Sequence, residues 1–230
     1  YSTKINQSNY DIVQLHWINS FLSINDIVKI QKPIVWRFSD FWPCSGIYHY
    51  DNFEKSFFLE TINKYIKKLK SELWKKKIHI ITPSNWMKNE VDKSLTFENY
   101  LVDVIYTPID NKFFKKIDKE SIRKIYKKDN NKKILLFGAD NLNDKRKGFQ
   151  DVIELFKQNY LSVDEYELMT FGHSKFEIKN INNLKIHNLG FIESKEKLNE
   201  IYNCADLMLI TSRMDNLPQI GLEAQMSGLP

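Results

Sequence analysis

Short apolar runs alternating with longer helical patterns are the feature that most restricts this chain. In the first half, Tyr10–Ile18 (YDIVQLHWI), Pro33–Phe38 (PIVWRF), Ile78–Ile81 and Val102–Tyr106 read as strands. In the second half, Lys133–Phe137, Leu168–Phe171, Leu184–His187 and Leu207–Thr211 read the same way. Between them lie helical patterns with local start signals. Ser23 with Asp26 three residues on makes a capping box, and Ser84 caps another helix. Phe53–Lys76, a segment from about Gly148, Ser194–Cys204 and Pro218–Ser227 complete the series. Strands that alternate with helices predict βαβ units and parallel sheets.

The polar stretch Pro108–Lys132 separates the two series, which predicts two Rossmann-like α/β domains at 1–112 and 113–230. Each series supplies about four strands where such a domain usually has five or six, so both are expected to continue beyond the two ends.

Composition removes several function classes. Lys and Arg number 34 against 29 Asp and Glu, a formal net charge of +5. Only Arg37, Arg123, Arg146 and Arg213 are arginines, so the basicity does not suit nucleic-acid reading, and no nucleic-acid partner is expected. No stretch approaches the roughly 20 apolar residues of a membrane span. Tyr1–Tyr10 is polar and Cys44 and Cys204 stand far apart, which fits a cytoplasmic location and neither a disulfide scaffold nor a zinc cluster. Asp-x-Asp is absent from the sequence, so metal-independent chemistry is expected.

Two loops carry the chemistry. Asp215–Pro230 (DNLPQIGLEAQMSGLP) follows a strand, with Pro218 at a helix start and Gly228 at its stop. The free amides of that first turn, around Leu217 to Ile220, would form an anion site at the C-terminal edge of a parallel sheet, with Asn216, Leu217, Pro218 and Gln219 as candidate binding residues. Asp215 and Glu223 frame it as acceptors for sugar or ribose hydroxyls. The same pattern also describes an ordinary capped amphipathic helix. Phe137–Phe149 (FGADNLNDKRKGF) again runs from strand to helix, and Lys147 there is placed to neutralise a diphosphate or to sit in a solvated basic turn.

Taken in order, His16–Asn19 (HWIN), Trp36–Tyr50 (WRFSDFWPCSGIYHY), Thr82–Trp86 (TPSNW), Ile105–Phe114 (IYTPIDNKFF), Lys145–Phe149 (KRKGF), Leu189–Ile192 (LGFI), Cys204–Ser212 and Asp215–Glu223 form one pattern. It resembles glycosyltransferase family 4, retaining enzymes of the GT-B fold, and within it the bacterial members that build surface polysaccharides. The resemblance implies a nucleotide-diphosphate sugar as donor substrate, no separate cofactor, and a glycan or lipid-linked saccharide as acceptor. It implies a C-terminal donor domain facing an N-terminal acceptor domain across a cleft. The family's acidic pair falls on Asp215 and Glu223, with aspartate where glutamate is usual. Its phosphate-binding lysine falls on Lys147, and Arg146 stands beside it.

Many relatives carry a histidine just before an aspartate in the loop after the second strand; here the pair is Ser39-Asp40. A serine cannot serve as a histidine-like base near neutral pH. The family mechanism gives the acceptor proton to a donor phosphate oxygen, which leaves Ser39 a positioning role. Ser39, Asp40, His16 and Asp215 are the candidate catalytic residues. His49 and its aromatic loop, and His173, are weaker candidates for sugar contact.

The Phe53–Lys77 segment carries eight lysines against three glutamates, with an apolar stripe from Phe53, Phe57, Phe58, Leu59, Ile62, Ile66, Leu69 and Leu73. Two roles fit: docking on an anionic membrane at the inner face of the cell, or a core-facing stripe with a solvated basic back. Two rival functions also stand: another GT-B nucleotide-sugar enzyme of the epimerase kind, and a non-catalytic fragment.

Overall fold

The computed structural model describes residues 1–19, 21–50, 56–73, 78–94, 96–126, 131–175 and 183–230. These form two compact units, Tyr1–Thr107 and Pro108–Pro230.

The first unit runs α1 (Ser2–Gln7), β1 (Val13–Leu15), α2 (Ile24–Lys29), β2 (Ile34–Arg37), α3 (Phe57–Leu73), β3 (His79–Thr82), α4 (Asn85–Asp92) and β4 (Val102–Val104). Its strands pair in parallel in the order β1-β2-β3-β4. The expected caps form: Ser23 and Asp26 close a capping box at α2, and Ser84 Oγ accepts from the Met87 amide at α4. Leu15, Ile34, Trp36, Ile80, Met87 and Val91 meet in one core.

The second unit runs α5 (Lys119–Ile125), β5 (Lys133–Asn141), α6 (Phe149–Lys157), β6 (Tyr166–His173), β7 (Ile186–Asn188), α7 (Lys195–Cys204), β8 (Leu207–Leu209) and α8 (Gln219–Met226). Its parallel sheet has the order β7-β6-β5-β8. β5 and β6 are buried along almost their whole length, as strands covered on both faces must be. Alternate β5 residues enter opposite cores: Ile134 and Leu136 pack on one face with α7 and α8, and Leu135 and Phe137 pack on the other with Val152, Ile153 and Phe156 of α6.

Three sequence expectations change. β1 is three residues long, far shorter than Tyr10–Ile18, and beyond its C-terminal end Trp17 turns to φ 28° and leaves the extended region. The stretch Pro108–Lys132 is not a plain connector: Asp118 caps α5, and Phe114 and Ile122 enter the second core. In α3 the expected stripe is partly inverted. Phe57, Phe58 and Leu69 are 90%, 69% and 37% exposed, whereas Lys70 is 2% exposed. The charge goes inside because the neighbouring loop offers carbonyls that need a donor. Residues 53–55 and 74–77 of that expected helix lie outside the described residues.

Gly148 sits between β5 and α6 at φ 75°, and a Cβ there would meet the Thr211 carbonyl oxygen at 2.3 Å. Gly190 has φ 68° with nothing within 4 Å of its Cβ position. Gly148→Ala should therefore lose more stability than Gly190→Ala, by about 1 kcal/mol or more, in urea unfolding; equal losses would contradict this close approach.

Candidate functional site

In the second unit, β5 and β8 are parallel neighbours, with Leu135 opposite Leu207 and Phe137 opposite Leu209. Their C-terminal loops therefore leave the same sheet edge although they are more than 60 residues apart in sequence. The β5 loop ends in a single 3-10 turn, Lys145–Lys147, capped by Asp144, whose side chain accepts from the Arg146 amide. The β8 loop is sewn to it. Thr211 Oγ1 donates to the carbonyls of Lys147 and Gly148 at 3.1 and 2.9 Å, the Arg213 amide donates to Arg146 O at 2.9 Å, and Arg146 Nη1 donates to Met214 O at 2.9 Å.

These bonds bring Lys147, Arg146 and Asp215 together. Lys147 Nζ lies 2.5 Å from Asp215 Oδ2, and Arg146 Nη1 lies 3.8 Å from the same oxygen. Arg146 also pairs with Asp144 at 3.1 Å. The Asn216 amide donates to Asp215 Oδ1, and Ser212 Oγ lies 3.4 Å from Oδ2. The expected diphosphate cation is thus already paired, and an incoming anion must compete with Asp215 for Lys147.

α8 begins just after Pro218, one residue later than the sequence pattern placed it, and no side chain caps its start. Leu217, Pro218 and Gln219 lie at that first turn. Glu223 sits one turn further in and is 6% exposed. Tyr202 Oη donates to Glu223 Oε2 and Gln219 Nε2 to Oε1, both at 2.9 Å. Burial raises the Glu223 carboxyl above its ordinary value, against the lowering effect of these two donors. Sequence reading took Glu223 as a ligand acceptor and had no means of finding Tyr202, 21 residues earlier on α7. His173, also a weaker candidate, stacks on Phe191 with ring centroids 4.2 Å apart.

In the first unit, β1 and β2 are also parallel neighbours, so their loops share an edge. A cleft there is lined by Trp17, Asn19, Arg37, Ser39, Asp40 and Trp42 among others. Ser39 is exposed on its rim, Asp40 is buried, and His16 is exposed outside the lining. From the HWIN element it is Trp17, Ile18 and Asn19 that line the cleft. Asp40 accepts from the Trp42 amide at 3.0 Å and meets His49 Nδ1 at 2.6 Å. Thus an Asp–His pair does form, with the histidine drawn from nine residues downstream. The aromatic character of Phe41–Tyr50 hinted at function, but no local spacing rule ties His49 to Asp40.

α3 holds this loop from beneath. Lys70 Nζ donates to Trp42 O at 2.8 Å and Ser45 O at 3.1 Å, and lies 3.5 Å from the centre of the Trp42 ring. Asn63 Oδ1 accepts from the amides of Gly46 and Ile47. Burial pushes the Lys70 ammonium down to about 7, against a smaller opposing pull from Asp40. Among the described residues no group of three or more His, Cys, Asp or Glu is placed to hold a metal ion.

Residues 118–230 match the family model Glycosyl transferases group 1. The match covers the whole β5–α8 region, including the Lys147 and Asp215 loops. No curated protein matches the chain. Solved structures share its fold across both units. Sucrose-phosphate synthase from Thermosynechococcus elongatus aligns at TM-score 0.76 and 13% identity, over 99% of this chain and 57% of that one. The Anabaena protein HepE in complex with UDP aligns at TM-score 0.68 and 14% identity, over 100% and 61%. WaaG, a glycosyltransferase involved in lipopolysaccharide biosynthesis, aligns at 0.61 and 15%, over 85% and 55%. The fold is that of the GT-B glycosyltransferases, and the chain spans a little over half the length of these structures.

The buried lysine gives this glycosyltransferase-like fold a testable pH dependence. The folded chain releases the Lys70 proton near pH 7, whereas an unfolded chain keeps it to about 10.5. The unfolded state then binds more protons, so stability should rise with pH across that window. Between about pH 7 and about pH 9 the gain is up to about 2 kcal/mol. Lys70→Met should remove this part of the slope in urea unfolding followed by tryptophan fluorescence; an unchanged slope would show that Lys70 is not the group responsible.

Proposed function

We propose that this chain is the body of a retaining glycosyltransferase. It moves a hexosyl group from a nucleotide-diphosphate sugar to a hydroxyl of a glycan or lipid-linked saccharide in bacterial surface-polysaccharide synthesis. The carrying observation is the Lys147–Asp215–Arg146 cluster at the sheet edge of the unit that matches Glycosyl transferases group 1. The HepE complexes with UDP and UDP-glucose and the lipopolysaccharide role of WaaG support the donor and acceptor classes.

In this reading the bond from the sugar's anomeric carbon to the diphosphate breaks. A bond from the acceptor oxygen forms on the same face, and the acceptor proton passes to the departing diphosphate. Negative charge grows on that diphosphate. Lys147, Arg146 and the start of α8 near Leu217, Pro218 and Gln219 stabilise it without a metal ion. Asp215, hydrogen-bonded through its backbone neighbour Asn216, exchanges its hold on Lys147 for donor sugar hydroxyls. Glu223, held by Tyr202, accepts from the ribose.

Lys147→Ala should lower turnover of the full-length protein more than donor affinity, because its charge partner develops in the transition state. Glu223→Ala should weaken nucleotide binding about ten- to a hundredfold, a charged hydrogen bond contributing roughly 1.5–3 kcal/mol. Calorimetry with UDP, GDP and their sugars in the presence of EDTA measures the affinities, and a turnover assay of the full-length protein measures the rate. Wild-type affinity in Glu223→Ala would remove α8 from the donor site, and affinity lost in EDTA and restored by magnesium would end the metal-free reading.

The acceptor side draws on α3. Phe57, Phe58 and Tyr65 are 90%, 69% and 62% exposed. Lys64, Lys67 and Lys68 are exposed on the same helix. Aromatic side chains among lysines suit the interface of an anionic bilayer, where lipid-linked saccharides reside. The chain should co-sediment with vesicles containing phosphatidylglycerol and not with pure phosphatidylcholine, and Phe57→Ser with Phe58→Ser should abolish it. Equal binding of the double variant would place the contact elsewhere.

A further inference from the structure

Glu223 carries a charge that the packing around it does not call for. It is 6% exposed, and Tyr202, which donates to its Oε2 at 2.9 Å, is fully buried. Gln219 Nε2 donates to Oε1 at 2.9 Å from an exposed position on the first turn of α8. The carboxylate thus bridges core and surface. A tyrosine hydroxyl and an amide each need an acceptor, but a neutral glutamine at 223, with the Gln219 amide turned over, would satisfy both. Burying a carboxylate is costly unless hydrogen bonds to the charge offset it.

Tyr202 is placed to be the donor that does so. Its ring packs against Phe114 and Phe171, with centroids 6.0 and 6.1 Å away, in a core that also holds Met208 and Ala224. That packing sets where the hydroxyl points independently of α8, so the hydroxyl orients the carboxylate rather than following it. Burial and the neighbouring negative charge push the Tyr202 hydroxyl well above its ordinary value, so it remains a donor at any working pH. Burial raises the Glu223 carboxyl, and Tyr202, then Gln219, then the charge of Lys195 at the start of α7 draw it back down. The rest of the core around Tyr202 is apolar. Each carboxylate oxygen accepts one of the two side-chain hydrogen bonds, which leaves each a further lone pair.

We propose that Tyr202 is a positioning residue of the nucleotide site: its hydroxyl holds Glu223 as an oriented carboxylate acceptor. Glu223 touches the nucleotide, and Tyr202 acts only through it. The inference rests on the glycosyltransferase reading for the identity of the ligand, a nucleotide whose ribose hydroxyls donate to Glu223. Loss of the Tyr202 hydroxyl withdraws a donor from the charge, so Glu223 takes up its proton at higher pH. A protonated Glu223 loses its charge and part of its acceptor capacity. Nucleotide affinity then falls as the pH drops through that higher midpoint.

The experiment titrates Glu223 in full-length protein carrying carbon-13 at its glutamate carboxyls, from about pH 5 to about pH 8.5. Glu223→Gln assigns the signal, and calorimetry with UDP and GDP covers the same range. Tyr202→Phe should raise the Glu223 midpoint by about one to two pH units, the shift expected of one hydrogen bond to a charged group. A ring-fluorinated tyrosine at position 202 nearly keeps the shape and makes the hydroxyl a stronger donor, so it should lower the midpoint; this arm decides alone if Tyr202→Phe does not fold. The nucleotide affinity of Tyr202→Phe should lie about five- to tenfold below wild type at the acid end and equal it at the alkaline end, where Glu223 is ionised in both. A deficit of the same size at every pH would make Tyr202 a packing residue only, and a midpoint unmoved by either replacement would overturn its hold on Glu223. Nucleotide binding with unmoved midpoints refutes this proposal alone. Wild-type protein that binds neither UDP nor GDP refutes the glycosyltransferase reading and the nucleotide role with it, while the midpoints still decide whether Tyr202 governs the Glu223 charge.

Discussion

The pairing of β8 with β5 is the constraint on which the geometry of the Lys147–Asp215 cluster depends, and a single carboxylate sets it. Asp206, at the start of β8, donates its amide to Ile134 O at 2.8 Å and accepts the Ile134 amide on its side chain at 2.8 Å. Arg123 of α5, itself 6% exposed, pairs with the same carboxylate and also donates to Cys204 O. Burial works against the Asp206 charge, but the Ile134 amide, Lys119 and Arg123 outweigh it and hold the carboxyl below its ordinary value. One-residue slips in a sheet buried on both faces would exchange its two cores, so this knot fixes more than one bond. With the register set, the Lys145–Lys147 turn and the Thr211–Asp215 loop necessarily emerge side by side.

Each unit uses the same device at its candidate site. Adjacent parallel strands deliver two loops to one edge, and a second element grips one of them. In the C-terminal unit the loops grip each other, through Thr211, Arg213 and Arg146. In the N-terminal unit α3 grips the Trp42–Tyr48 loop by one buried cation and one amide oxygen. The same helix thus carries an exposed aromatic face and the buried lysine that holds the loop. Lys70 is thereby an anchor with a desolvation cost, which is why its proton is loosely held.

The charge distribution at the Lys147–Asp215 cluster departs from a simple basic patch. Arg146 and Lys147 face Asp144 and Asp215, so the cluster is locally balanced rather than strongly positive. Under the proposed function, a diphosphate entering it would displace one carboxylate from one cation.

The sequence alone determined the elements whose signals are local. Capping at Ser23 and Ser84, the Gly148 and Gly228 positions, and the alternation of strand and helix depend on residues within a few positions of each other, so the α/β class, the two-series organisation and the Lys147 and Asp215 loops were legible. Strand lengths were not, because pairing ends β1 where apolar residues continue. Only tertiary structure decided which side chains met across long separations: Lys147 with Asp215, Tyr202 with Glu223, His49 with Asp40, and Lys70 with the carbonyls of Trp42 and Ser45. A lysine reads as a surface residue in any helical pattern. Its burial at position 70 follows from carbonyls that a distant loop presents, and the hydrophobic period of α3 carries no record of them.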